Sequence, residues 1–104
     1  MNINSQNPVM SVNASMKIFK AQAIPGNLIL LSDRICFQAS GLLKGTEVKD
    51  TFSFEEIKKI KVGFSIAPFR IVIILNDGDN WIFDQVNRKD AKKFAELYET
   101  INSN

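Results

Sequence analysis

The stretch that decides the fold spans residues 70–85 and reads RIVIILNDGDNWIFDQ. Two runs rich in β-branched and aromatic residues flank the dipeptide Asp77-Gly78. This pattern is typical of a β-hairpin, because both central residues of a tight type I′ turn need positive φ and Asp-Gly tolerates it. The sequence therefore predicts two paired strands, at 70–75 and 80–85, joined by a type I′ turn.

Upstream of the hairpin, short apolar segments alternate with turn-forming residues, which predicts further strands. Pro25-Gly26 and Ser32-Asp33 are predicted turns, and Gly63 is a predicted bulge. The predicted upstream strands cover residues 17–23, 27–31, 34–39, 48–54 and 57–64.

After the hairpin the apolar period changes from two residues to 3.6. An apolar stripe predicts a helix over 88–101, with Asn87 as its N-cap and Asp90 in its first turn. The stripe consists of Ala91, Phe94, Ala95, Tyr98 and Ile101, with Leu97 at its edge.

These elements predict a mainly β fold, a barrel of about seven antiparallel strands capped by one C-terminal amphipathic α-helix. The apolar stripe of the helix is the remaining apolar surface that could cover the concave side of the sheet. Residues 1–15 are polar and contain Pro8, so we predict a flexible N-terminal arm there and one domain over residues 16–104.

The amino-acid composition argues against several classes of function. The chain has 104 residues, a formal net charge of +2, one cysteine and no histidine. The charge is too small and too interleaved for a nucleic-acid binder. Without histidine, Ser-His and Cys-His nucleophile pairs cannot form, and a zinc site would lack its usual ligands. The sequence therefore predicts no enzyme, no cofactor and no metal site.

The chain starts without the basic and apolar regions of a signal peptide. Its longest apolar runs, residues 28–31 and 71–75, are far shorter than the roughly 20 residues of a membrane span. We therefore expect a cytoplasmic protein.

Residues 26–37, which read GNLILLSDRICF, resemble the pattern around the second and third strands of the GRAM domain, a branch of the pleckstrin-homology-like superfamily. Residues 54–60 and the hairpin are similar to later parts of the same pattern. The similar region covers residues 17–102, and Leu31 stands where the family usually has Thr or Ser. The resemblance implies a pleckstrin-homology-like barrel.

The resemblance also implies binding of anionic lipid or docking of proteins. In such folds the lipid head group lies among the loops after strands one, three and six, here predicted at 23–27, 40–47 and 76–80. Those loops carry Lys44 against Glu47, Asp77 and Asp79, a net charge of −2. Like charge repels a phosphoinositide head group, so protein docking is the first interpretation and peripheral binding to anionic membrane lipid the alternative.

For the lipid alternative, two basic groups are candidates. The first is Lys17 and Lys20 beside the first loop, together with Lys44; the second is Arg88, Lys89 and Lys92 at the helix start. Cations there oppose the helix dipole, so they could mark an anion site. The plainer interpretation is a solvated face, neutralised by Asp84 and by the pairs Asp90–Lys93 and Lys92–Glu96.

The remaining candidate residues have simple structural interpretations. Trp81 is either an exposed anchor or a core residue with its N–H satisfied at the rim, and Arg34 pairs with Asp33 or Glu56. Cys36 is expected to be a small hydrophobe, either buried or half-buried. Lys58, Lys59 and Lys61 follow two glutamates closely and fit a solvated face.

The predicted function is thus a non-catalytic binding module with a protein partner. A short apolar edge strand, or the groove between helix and barrel, could accept a partner segment by strand addition. The same edge would let two copies pair as a homodimer.

Overall fold

The computed structural model describes residues 8–17, 23–39, 50–63 and 69–103. In these residues one antiparallel sheet has the strand order β4-β3-β2-β1-β7-β6-β5. The elements in chain order are β1 (Met10–Lys17), β2 (Ala23–Leu30), β3 (Arg34–Ala39), β4 (Thr51–Ser53), a 3₁₀ turn (Phe54–Glu56), β5 (Ile57–Gly63), β6 (Phe69–Leu75), β7 (Asn80–Val86) and α1 (Arg88–Asn102).

The sheet curls into a half-barrel because β1 belongs to both of its halves. All eight residues of β1 pair with β2, and its Ser15 and Met16 also pair with β7. The predicted fold class, a mainly β structure of seven antiparallel strands with one C-terminal helix, is confirmed.

The core fills the concave side of the sheet. Apart from the two irregularities of register, inward positions alternate with outward ones along the strands, as a pleated sheet requires. The apolar stripe of α1 packs over the inward residues. Phe94 of that stripe is 0 % exposed, and Tyr98 meets Phe54 edge to face at 4.9 Å between ring centroids. The predicted helix face is therefore confirmed.

Helix α1 begins directly after Asn87, the predicted N-cap residue. The side-chain oxygen of Asn87 accepts the backbone N–H groups of Lys89 and Asp90 at 3.0 and 3.3 Å. These bonds satisfy two of the amide donors that the first turn of a helix leaves unpaired.

The predicted arm over residues 1–15 is wrong for residues 10–15, which form most of β1; residues 1–7 lie outside the described part. Val12, Ala14 and Met16 point into the core, and the polar residues between them point outward. The small polar residues make this alternation hard to recognise in the sequence.

Pro25 and Gly26 do not form the predicted turn, because both lie inside β2. Pairing of β2 with β3 starts at Gly26, so Pro25 breaks no bond of that ladder although it lacks an N–H. At Gly26 a Cβ atom would lie 2.8 Å from Cζ of Phe37 and closer still to the carbonyl oxygen of Gln38. Glycine is therefore required here by the close approach of β3.

The predicted hairpin is confirmed, but its turn is not type I′. The N–H of Gly78 bonds the carbonyl of Leu75 at 3.0 Å, and the N–H of Leu75 bonds the carbonyl of Asp79 at 2.9 Å. Among the described residues positive φ occurs at Gly78 and Gln85, not at Asp77. This is a three-residue loop, in which one left-handed glycine follows an ordinary turn.

Gly63 is not a bulge, since it pairs in register with Arg70. The irregularities lie between Ile57 and Lys59 and between Phe69 and Ile71. At the second one, Asp84 and Gln85 of β7 face one residue of β6, and Gln85 takes a φ of 60°. A bulge changes the direction of the side chains beside it, here those of Asp84 and Gln85.

Candidate functional site

The convex side of β1, β7, β6 and β5 carries a surface that we call the basic outer face. Its members are the outward positions of these strands, on the side opposite the core residues Ile71, Ile73 and Phe83. They are Lys17 on β1, Ile82 and Asp84 on β7, Arg70, Val72 and Ile74 on β6, and Lys59 and Lys61 on β5.

Aliphatic side chains form the centre of this face. Val72 is directly opposite Ile82 on one side and Lys61 on the other, and Ile74 is opposite Lys59. Val72, Ile74 and Ile82 are half-buried and do not belong to the core cluster. The register thus sets three aliphatic residues side by side, where side chains on adjacent strands contact one another.

Cations surround this centre on both flanks. Lys17 and Arg70 share one oxygen of Asp84, at 3.9 Å from Nζ of Lys17 and 3.5 Å from Nη2 of Arg70. Lys59 and Lys61 are exposed. The face therefore has four cations and a single carboxylate, and Asp84 is 15 % exposed beneath its two partners.

Arg70 has a further N–H donor that its ion pair with Asp84 does not use. Its Nε is buried and has no acceptor in the described part of the chain. The other oxygen of Asp84 accepts the N–H of Gln85 at 3.2 Å, which ties the carboxylate to the bulge. The bulge therefore helps to hold Asp84 between Arg70 and Lys17.

The structure does not gather the predicted anion-binding residues into one site. Lys17 lies on the basic outer face, whereas Arg88, Lys89 and Lys92 are exposed in the first turns of α1. Lys20 and Lys44 lie outside the described residues.

Among the described residues, the ion pairs predicted to neutralise Lys92 and Lys93 do not form. Asp84 pairs with Lys17 and Arg70. Within the described residues, neither Asp90–Lys93 nor Lys92–Glu96 forms an ion pair. Exposed pairs of this kind contribute little to stability, which explains why the fold does not need them.

The first predicted head-group loop is also misplaced, because residues 23–27 belong to β2. The link between β1 and β2 is instead residues 18–22, which include Lys20 and lie outside the described part. The loop between β6 and β7 is described, and its charged residues are the exposed Asp77 and Asp79. That loop disfavours an anion.

An open cleft lies beside this loop. The backbone N–H of Asn76 bonds the carbonyl of Glu56, and its side-chain amide bonds the carbonyl of Glu55, both at 2.9 Å. These bonds tie the hairpin tip to the 3₁₀ turn. The cleft is lined by Ser53, Glu55, Glu56, Leu75, Asn76 and Asp77, and in the described residues its carboxylates form no cluster suited to a metal ion.

Two further predictions are settled by local contacts. Trp81 belongs to the core rim, where it meets Phe52 edge to face at 5.6 Å. Its Nε1 is buried without an acceptor in the described part of the chain, so the prediction of a satisfied N–H is wrong. Arg34 pairs with Asp33 at 3.0 Å, one of its two predicted partners.

Cys36 is half-buried, as predicted. Burial raises the pKa of its thiol, although a hydrogen bond with Thr51 and the charge of Arg34 oppose that shift. A raised pKa keeps the thiol protonated near neutral pH, and the protonated form is a poor nucleophile.

Sequence reasoning missed Arg70, Lys59 and Lys61 as members of one surface. The signal for the two lysines was present, because they alternate with Ile60 and Val62 in β5. No sequence pattern places Arg70 on this surface, because its position depends on the pairing of β6 with both β5 and β7. Arg70, Lys59 and Lys61 come to lie on one surface through the pairing of strands that are distant in the sequence.

Comparisons with known proteins support the fold. No protein-family model and no curated protein sequence matches the chain. The C-terminal domain of an unknown protein from Leishmania infantum is similar in structure, with a TM-score of 0.70 and 16% sequence identity over 93% of this chain and 85% of that one. At this identity the likeness concerns the fold alone.

In the described ranges, α1 is too short and too polar to cross a membrane, and no other described helix could do so.

Proposed function

We propose that this chain is a non-catalytic binding module that docks a protein partner through the basic outer face. The observation that carries the proposal is the arrangement of Val72, Ile74 and Ile82 between Lys59 and Lys61 on one flank and Lys17 and Arg70 on the other. The GRAM-like pattern of residues 26–37 is consistent with a role in binding.

The physical argument combines two effects. Half-buried aliphatic side chains gain from complete burial by roughly 25 cal/mol per Å² of apolar surface removed from water. Cations around such a patch select partners of opposite charge and speed their association. A partner that presents aliphatic side chains together with carboxylates satisfies both.

A second candidate is the surface of an anionic membrane. The exposed Lys89, Lys92 and Lys93 on α1 have no ion-pair partner among the described residues. Each basic residue near an anionic bilayer contributes about 1 kcal/mol, and salt weakens this attraction. Asp77 and Asp79 on the β6–β7 loop act against this candidate.

NMR titration of the ¹⁵N-labelled full chain tests both candidates. The probes are a pool of twelve-residue peptides rich in Val, Ile, Asp and Glu, the same pool with Lys in place of the acids, and vesicles containing phosphatidylserine. We expect the acidic pool to shift the amides of Val72, Ile74 and Ile82 and the basic pool to leave them unchanged.

Absence of shifts with the acidic pool, or shifts confined to residues away from the outer face, would overturn the protein-docking proposal. Line broadening by the vesicles, combined with no response to either pool, would support the membrane candidate instead.

A further inference from the structure

Strand β5 is an end of the sheet. In the described residues it pairs with β6 and with no other strand. An edge strand directs part of its backbone N–H and C=O groups away from its neighbour, where they can pair with another chain.

The side chains of β5 restrict what can pair there. Lys59 and Lys61 are exposed on the outer face, two residues apart. On the next strand, Ile74 and Val72 lie directly opposite these two lysines. A segment added to β5 would therefore meet two ammonium groups with an aliphatic patch behind them.

We propose that the edge of β5 accepts an extended polypeptide segment that carries two carboxylates two residues apart, facing Lys59 and Lys61. This inference rests on the proposed function and specifies its partner. Opposite charges directly across paired strands stabilise them by roughly 0.2–1 kcal/mol per pair, and the two-residue spacing follows from the period of a strand.

A second copy of the chain is a poorer occupant. If two β5 strands paired antiparallel over their full length, Lys59 of each copy would face Lys61 of the other. Parallel pairing in register would bring each lysine beside its own counterpart. Like charges across a strand pair are destabilising, so the lysines oppose self-pairing and favour an acidic partner.

The test uses three nine-residue peptides made of Val and Thr with two charged positions. The first has glutamates two residues apart, the second has adjacent glutamates, and the third has lysines two residues apart. Binding to the full chain is measured by fluorescence anisotropy. We expect the first peptide to bind up to about fivefold more tightly than the second, because adjacent glutamates point to opposite faces of the strand and leave one carboxylate opposite a lysine.

The double variant Lys59→Glu, Lys61→Glu should lose the first peptide and gain the third. The matched control Lys92→Glu, Lys93→Glu changes the same charge on exposed helix positions and should keep the wild-type order. NMR spectra of both variants verify that they fold.

Equal binding of the first two peptides, or no reversal of preference in the β5 variant, would overturn the inference. If the acidic pool still shifts Val72 and Ile82 in that case, the proposed function stands and only strand addition at β5 fails. If the lysines merely protect the edge from pairing, none of the three peptides binds, which also overturns it.

Discussion

At the scale of single residues, glycine positions show how closely the strands approach. Gly26 faces β3 so closely that a Cβ atom would meet backbone of Gln38 as well as the ring of Phe37. At Gly63 a Cβ atom would instead lie 2.9 Å from Cγ of Arg70, so the close contact there is with a side chain and not with backbone.

We predict that Gly26→Ala destabilises the fold by roughly 1–3 kcal/mol, because an overpacked core must shift backbone or leave its preferred rotamers. Gly63→Ala is the matched control and should lower the free energy of unfolding by less. Urea denaturation of both variants measures the difference, and equal losses would contradict the close approach at Gly26.

Tyr98 gives a prediction at alkaline pH. Burial, reinforced by the nearby Glu99 carboxylate, raises the pKa of Tyr98 in the folded chain. The fold thus favours the neutral phenol, and this contribution to stability is complete below the unfolded pKa and is lost as pH rises through the folded value.

The free energy of unfolding should therefore fall more steeply above about pH 10 in the wild type than in Tyr98→Phe. The variant keeps the aromatic contact with Phe54 and cannot ionise. Denaturation series at several alkaline pH values measure both slopes, and identical slopes would refute the assignment.

At the scale of elements, the start of α1 depends on one side chain. Asn87 accepts two backbone N–H groups. We predict that Asn87→Ala lowers the free energy of unfolding by about 1 kcal/mol, the usual cost of losing an N-cap. Asn102→Ala, at the exposed far end of the same helix, should change it little. A loss at Asn102 as large as that at Asn87 would argue against the cap.

Elements with strong periodicity were predictable from the sequence. The helix stripe and the Asp77-Gly78 hairpin are recognisable because each structure is determined by residues close together in the sequence. Strand β1 was not found, because Ser, Asn and Ala are weak strand formers and its inward residues include small Ala14. The prediction of a turn at Pro25-Gly26 failed because tertiary pairing overrides a turn propensity.

The candidate site was less predictable than the fold. Lys17 could be named from the sequence, but its pairing with Asp84 depends on the contact between β1 and β7. The aliphatic centre of the outer face likewise depends on three strands in register. A sequence shows which residues alternate, and it does not show which strands become neighbours.

At the scale of the whole molecule, charge is unevenly distributed over the described surface. Glu55, Glu56 and Asp77 line the cleft at the hairpin tip, whereas Lys59 and Lys61 lie on β5, which follows the 3₁₀ turn. The small net charge of +2 thus conceals an acidic end and a basic face. Such separation orients a charged partner as it approaches.

Zero-length carbodiimide cross-linking tests the docking face most directly, because it joins a carboxylate only to a lysine that it touches. The full chain is treated in the presence of the acidic peptide pool, and the joined residues are identified by mass spectrometry. We predict cross-links at Lys59 and Lys61 that disappear at high salt. Cross-links confined to Lys89, Lys92 and Lys93 would contradict the assignment of the basic outer face as the docking site.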